Sequence, residues 1–216
     1  MMRKPKSTFI FTALVLGVLF VGFKYSSLLK KELPVYNPSD IDPELVDGSL
    51  HAIQNNHRVS DFTLVNQHGD TITQEDYHNK IYVADFFFTR CPTICPIMSN
   101  NMAKLQEVFS EDDDVMLLSL SVTPVYDSVP VLKEYALKKG AIADKWHITT
   151  GDKDHIYSLA RKSYFAVSDL SDGILQDFIH TPNFILIDRE KQIRGIYDGT
   201  KDEEISRLVK DIRILQ

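Results

Sequence analysis

The chain has 216 residues, 44% hydrophobic and 25% charged, with a formal net charge of −6. That balance is globular and argues against long disorder, and an acidic chain with no basic stripe argues against nucleic acid as a partner. Its two cysteines, Cys91 and Cys95, are too few and too close to form a stabilising disulfide framework.

Arg3, Lys4 and Lys6 precede an uncharged apolar run from Thr8 to Phe23. Sixteen helical residues reach about 24 Å, short of the roughly 30 Å hydrocarbon core of a bilayer. Lys24 can snorkel, and Leu28 and Leu29 extend the run before Lys30 and Lys31. No small-x-small cleavage site follows, and no cysteine offers a lipid attachment point. Residues 1–31 are therefore expected to form an uncleaved transmembrane anchor. Positive charges are balanced on its two sides, so they do not fix its orientation. Residues 32–58, with Pro34, Pro38 and Pro43, are read as a tether, and residues 59–216 as the functional domain.

Phe62–Asn66 and Thr71–Thr73 predict a hairpin around Gln67-His68-Gly69-Asp70. Ile81–Phe88 is a nearly continuous apolar run, as expected of a strand buried on both faces. Met98, Met102, Leu105 and Phe109 form a helical stripe, and Val115–Val122 reads as the next buried strand. Ser128–Lys139 predicts a helix with Pro130 in its first turn and Gly140 past its end. A short strand follows near His147–Thr149, and then a helix capped by Asp152 that carries Ile156, Leu159 and Ala160. Phe184–Asp188 and Ile193–Tyr197 predict a second hairpin, and Asp202–Leu215 a final helix. This order predicts an α/β domain whose mixed central sheet carries helices on both faces. A buried strand that runs into a cysteine pair, with a helix starting at the second cysteine, is the thioredoxin arrangement.

The cysteine loop reads FTRCPTICP, Phe88 to Pro96, with three residues between the cysteines. A helix N-terminus offers free amide donors and a positive dipole end, both of which favour a thiolate. At least one thiol is thus expected to be more acidic than a free cysteine, helped by Arg90 if its side chain turns inward. Such a pair can exchange disulfides or hold a soft metal. The three-residue spacing lets both sulfurs point into one bite, and two thiolates with an imidazole suit copper better than zinc, which favours a fourth ligand.

Of seven histidines, His51, His57, His68, His78 and His155 are read as solvated, and His147 as structural. His180 stands in FIHTPNFILID, 85 residues after Cys95 and just before a buried strand. In a thioredoxin-like sheet the loop entering that strand faces the cysteine loop. His180 is therefore the candidate third ligand. Met98 is a weak auxiliary candidate, more simply a core residue, and Asp169, Asp172 and Asp177 are loop charges.

FTRCPTICP, the segment Leu118–Ala136 (LSLSVTPVYDSVPVLKEYA) and His180 before ILID are similar to the Sco/SenC family of copper chaperones over roughly residues 55–215. The resemblance implies Cu(I) or Cu(II) held by Cys91, Cys95 and His180. It also implies a metallochaperone for the copper site of a respiratory cytochrome c oxidase. The partner would be the oxidase subunit that bears copper, or another copper-handling protein. The domain would lie on the exported side of the cell membrane. The chain departs from the family in having Thr123-Pro124 where Asp-Pro is common, and Ile179 where Asp often precedes the histidine.

Asp85 points elsewhere. It lies six residues before Cys91, the offset of the buried proton-relaying acid of thioredoxins, and Pro182 resembles their cis-proline. The alternative is therefore a membrane-tethered thiol–disulfide oxidoreductase. In it Cys91 attacks, Cys95 resolves and Asp85 moves protons. A redox or copper sensor is a third reading.

Overall fold

The computed structural model describes residues 15–17, 32–41, 43, 46–50, 52–166 and 181–216. Most of the expected anchor lies outside the described residues, as do His51, His180, Asp169, Asp172 and Asp177. Among the described residues no helix is long and apolar enough to cross a membrane.

A small antiparallel hairpin comes first, β1 (Thr63–Val65) with β2 (Thr71–Thr73). Its turn is held by the Asn66 side-chain oxygen, which accepts from the backbone N–H groups of His68 and Asp70. The main sheet has five strands: β3 (Ile81–Phe87), β4 (Val115–Ser121), β5 (Trp146–Thr149), β6 (Asn183–Ile187) and β7 (Ile193–Asp198). Their spatial order is β5-β4-β3-β6-β7; β3, β4 and β5 run parallel, β6 is antiparallel to β3, and β7 is antiparallel to β6.

Successive side chains of β3 point to opposite faces, and each face builds its own core. Tyr82, Ala84 and Phe86 pack with Leu118, Leu120, Ile156 and Phe165. Ile81, Val83 and Phe87 pack with Leu117, Trp146, Met98, Met102, Leu132, Leu208 and both cysteines. The second face is covered by α1 (Cys95–Val108), α2 (Val129–Lys139) and α4 (Asp202–Leu215). The first is covered by α3 (Lys153–Ser158), whose Asp152 cap accepts from the His155 N–H at 2.8 Å. Helix α2 ends as expected at Gly140, in the left-handed region at φ +69°, where an L side chain would be strained.

Three expectations need correction. After α3 the chain widens into a π-turn over Leu159–Ser163 instead of continuing as an α-helix. The wider turn lets Leu159, Ala160 and Ser163 all face inward. Ser163 then offers its carbonyl to the His57 ring at 2.9 Å. His57 is consequently buried rather than solvated, and it packs 4.5 Å from the Phe165 ring. Among the described residues no peptide bond is cis, so Pro182 does not share the cis geometry of the prolines it resembles.

The compact unit that carries the sheet runs from Leu33 to Gln216. Leu33, Asn37, Ile41 and Val46, all within the segment expected to be a tether, are buried against this domain. Tyr36 N–H donates to Ile193 O at 2.8 Å, forming an isolated bridge beside the start of β7.

Candidate metal and thiol site

Strand β3 delivers the chain to the cysteine loop, and α1 begins at Cys95 with Pro96 in its first turn. Proline has no amide hydrogen to lose there, so the helix starts without penalty. Both sulfurs face the core beneath α1: Cys91 is 6% exposed and Cys95 4%. Both cysteines are free, and Cys91 is near enough to Cys95 to raise its thiol. Cys91 N–H donates to Phe88 O at 3.2 Å, closing a tight turn, and the Cys91 sulfur lies 3.6 Å from Thr93 Oγ1.

Burial decides the acidity of Cys95. Loss of water pushes its thiol up to about 12, against a backbone hydrogen bond from Phe88 that favours the thiolate. Cys91 and the buried Asp85 push it the same way as burial. Burial therefore outweighs the helix N-terminus at Cys95, so Cys95 is not the more acidic thiol of the pair. Arg90 does not counter it, because its side chain turns outward and stacks 4.2 Å from the Tyr126 ring centroid.

Asp85 lies on the same face of β3 as Val83 and Phe87, and therefore on the cysteine side of the sheet. It is 2% exposed and stands opposite Ser119 of β4. The Ser119 hydroxyl donates to Asp85 Oδ1 at 2.5 Å and accepts from Trp146 Nε1 at 2.9 Å. Desolvation raises the Asp85 carboxyl to about 7, with the Ser119 bond acting in the opposite direction. Tyr135 of α2 stacks on Phe87 at 5.3 Å. Its hydroxyl is held protonated mainly by burial, and further by the charges of Asp85, Cys95 and Cys91.

His180 lies outside the described residues, but the chain just after it is firmly held. β6 is antiparallel to β3, so it begins at the end of the sheet where β3 leaves for the cysteine loop. Pro182 O accepts from Gly199 N–H at 2.7 Å, and Gly199 O accepts from Asn101 Nδ2 of α1 at 2.8 Å. A Cβ on Gly199 would come within 2.7 Å of the Phe184 ring and 2.9 Å of Pro182 O, so this close approach requires glycine. Of the described histidines, the His147 ring bonds the Tyr77 hydroxyl at 2.8 Å, and His155 Nε2 accepts from Thr63 N–H. Met98 is fully buried in the core. Among the described residues no cluster of three or more His, Cys, Asp or Glu is arranged to hold a metal ion.

Ser119, Trp146 and Asp127 were not singled out from the sequence. A signal existed: Ser119 and Ser121 interrupt the apolar β4 run at a spacing of two, which puts both on one face beside Asp85.

A mixed sheet with helices on both faces and a buried dithiol where a central strand meets a helix defines a thioredoxin-like domain. The chain matches the family described as SCO1/SenC over residues 51–215. A relative from Bacillus subtilis (strain 168), the SCO1 protein homolog, is 32% identical over 160 residues, covering 73% of this chain and 82% of the relative. Among solved structures, a member of the Sco family of cytochrome c oxidase assembly proteins, described for its disulfide switch, is 30% identical with a TM-score of 0.63, covering 74% of this chain and 94% of that one. The Arabidopsis thaliana ScoI structure with copper bound is 28% identical with a TM-score of 0.57, covering 71% and 97%. This chain belongs to the SCO1/SenC family.

Proposed function

We propose that this chain is a membrane-anchored copper metallochaperone for assembly of the copper site of cytochrome c oxidase, with Cys91, Cys95 and His180 as its copper ligands. The pair of buried free thiols where β3 leads into α1 carries this reading, because it offers two soft donors close together. The entry of β6 at the same end of the sheet supports His180 as the third donor. A similar plant protein holds copper, and another similar protein is an oxidase assembly factor. Copper is cargo here, passed to the copper-bearing oxidase subunit or another copper-handling protein. Residues 1–31 serve as the anchor, and the domain works on the exported side of the membrane.

The buried Asp85 beneath the thiols supports a second reading, thiol–disulfide exchange. The Cys91 sulfur attacks a disulfide of another protein and forms a mixed disulfide, releasing one thiol of that protein. Ionised Asp85 takes the Cys95 proton as Cys95 attacks Cys91, and the proton passes to the departing sulfur, which leaves as the second thiol; a Cys91–Cys95 disulfide remains. The other protein is reduced by two electrons and this chain is oxidised by two.

A Cu(I) titration of the reduced full-length protein, run beside Cys91→Ala, Cys95→Ala and His180→Ala, separates the readings. One tightly bound copper that each substitution weakens supports the chaperone. Weak binding, or no effect of His180→Ala, shifts the function to dithiol exchange.

A further inference from the structure

Asp127, in the loop between β4 and α2, is 0% exposed and takes no part in the chemistry above. Four neutral donors surround its carboxylate. The Thr89 hydroxyl donates to Oδ1 at 2.5 Å. The Thr89 N–H (3.2 Å), the Ser121 hydroxyl (2.5 Å) and the Thr123 hydroxyl (2.9 Å) donate to Oδ2. A buried carboxylate is costly unless it is hydrogen-bonded, and these bonds reach both of its oxygens.

Two of the donors organise the loop of Asp127 itself. The other two belong to Thr89, which is 38 residues away in sequence and immediately precedes Arg90-Cys91. Thr89 is gripped through both its backbone and its side chain, so its placement is fixed as well as its direction. From Thr89 the constraint reaches both sulfurs by a short path. Phe88, the preceding residue, accepts from Cys91 N–H and makes the backbone hydrogen bond to Cys95. A second strap runs alongside, with the Arg90 guanidinium over the Tyr126 ring. Two adjacent residues of one loop thus hold two adjacent residues of the other.

We propose that Asp127 is a positioning residue for the Cys91–Cys95 pair: by locking Thr89, its carboxylate keeps the two sulfurs together. The inference rests on the dithiol reading of the site and does not require copper to be the ligand. Held together, the sulfurs have a high effective concentration towards each other and towards a shared metal ion. Thr123 completes the clamp, because its hydroxyl supplies a further donor to Asp127.

The test uses the full-length protein as wild type, Thr89→Val, Asp127→Asn and Asp127→Ala. The first readout is the Cys91–Cys95 dithiol–disulfide equilibrium in glutathione buffers. The second is Cu(I) affinity in competition with a chromophoric chelator. Thr89→Val and Asp127→Ala are expected to shift the equilibrium towards the dithiol by about tenfold, or about 30 mV, and to weaken Cu(I) at least tenfold. Asp127→Asn, which keeps one acceptor oxygen, falls between them and the wild type. Thr89→Val combined with Asp127→Ala is expected to be no worse than Asp127→Ala alone, because the hydroxyl bond that Thr89→Val removes is already lost in Asp127→Ala. A purely structural role would lower the unfolding midpoint and leave the redox equilibrium of the folded protein unmoved. If Asp127→Ala fails to fold, the near-isosteric Thr89→Val and Asp127→Asn decide. Should the wild type bind no Cu(I), the copper reading falls alone and the redox equilibrium still tests Asp127. Folded Thr89→Val and Asp127→Asn variants with a redox equilibrium within twofold of wild type would overturn the inference.

Discussion

Asp85 and Ser119 face each other across the β3–β4 ladder, and the serine hydroxyl donates to the carboxylate at 2.5 Å. The bond does not offset burial, and Asp85 stays protonated up to about pH 7. In the unfolded chain an ordinary aspartate releases its proton near pH 4. Between these values the folded state binds more protons than the unfolded state, so stability falls as pH rises and then levels off above pH 7. Asp85→Asn removes this loss. In the reduced, metal-free protein the variant should match the wild type near pH 4 and exceed it at pH 8 by on the order of 4 kcal/mol. Urea unfolding at pH 4, 6 and 8 checks this, and a stability difference that does not change with pH would sink it.

Cys95 provides a kinetic prediction. Its thiol is pushed from an ordinary 9.0 up to about 12, chiefly by burial. At pH 8 the folded protein then holds about a thousandfold less Cys95 thiolate than the urea-unfolded chain. Iodoacetamide labelling, mapped to Cys95 by mass spectrometry, should slow by that order on folding. Folded and unfolded rates within tenfold of each other would show that the helix end outweighs burial after all.

The same proton bears on cargo loading. On the proposed copper reading Cys95 is a ligand, and since a cysteine ligand must be a thiolate, copper binding displaces the Cys95 proton throughout the neutral range. Calorimetry in buffers of different ionisation enthalpy should count at least one proton released per Cu(I). Apparent affinity should rise about tenfold or more per pH unit between pH 6 and 8. Loading without proton release would mean that Cys95 is not a ligand.

The strands and helices were legible because their signals are local. The apolar runs at Ile81 and Val115, the stripe through Met98 and the Pro130–Gly140 bracket each describe one element. The cysteine loop and Asp85 were legible for the same reason, since their offsets are short. Residues whose roles depend on distant contacts were not. His57 read as solvated, yet its burial comes from Ser163, 106 positions away. Asp127 reads as one more loop acid until Thr89 is seen against it. Which of the two thiols is the less acidic was not legible either: the helix N-terminus is visible in sequence, while the desolvation that overrides it at Cys95 belongs to the packed core.

Arg194 gives a prediction at the far end of the domain. Its guanidinium donates from Nη2 to Leu33 O at 2.6 Å, from Nε to Pro34 O at 3.0 Å, and from Nη1 to Asp188 Oδ2 at 2.7 Å. Asp188 is buried, and its other oxygen accepts from the backbone N–H groups of Glu190 and Gln192 in the β6–β7 turn. One side chain therefore ties residues 33 and 34 to that turn. Arg194→Ala deletes three charge-assisted bonds and leaves a buried carboxylate without its cation, a loss of about 3 kcal/mol. Arg194→Lys should recover only part of it, because an ammonium cannot serve all three acceptors in one plane. Ile193 pairs with Ile187, which pairs across to Tyr82 near the start of β3, whereas the cysteines follow its end. The damage should therefore stay local: urea unfolding registers the loss, while Cu(I) affinity and the Cys91–Cys95 redox equilibrium remain at wild-type values. A variant that is destabilised and also loosens the thiol pair would show that the Leu33–Asn37 strap and the cysteine loop are coupled through the sheet.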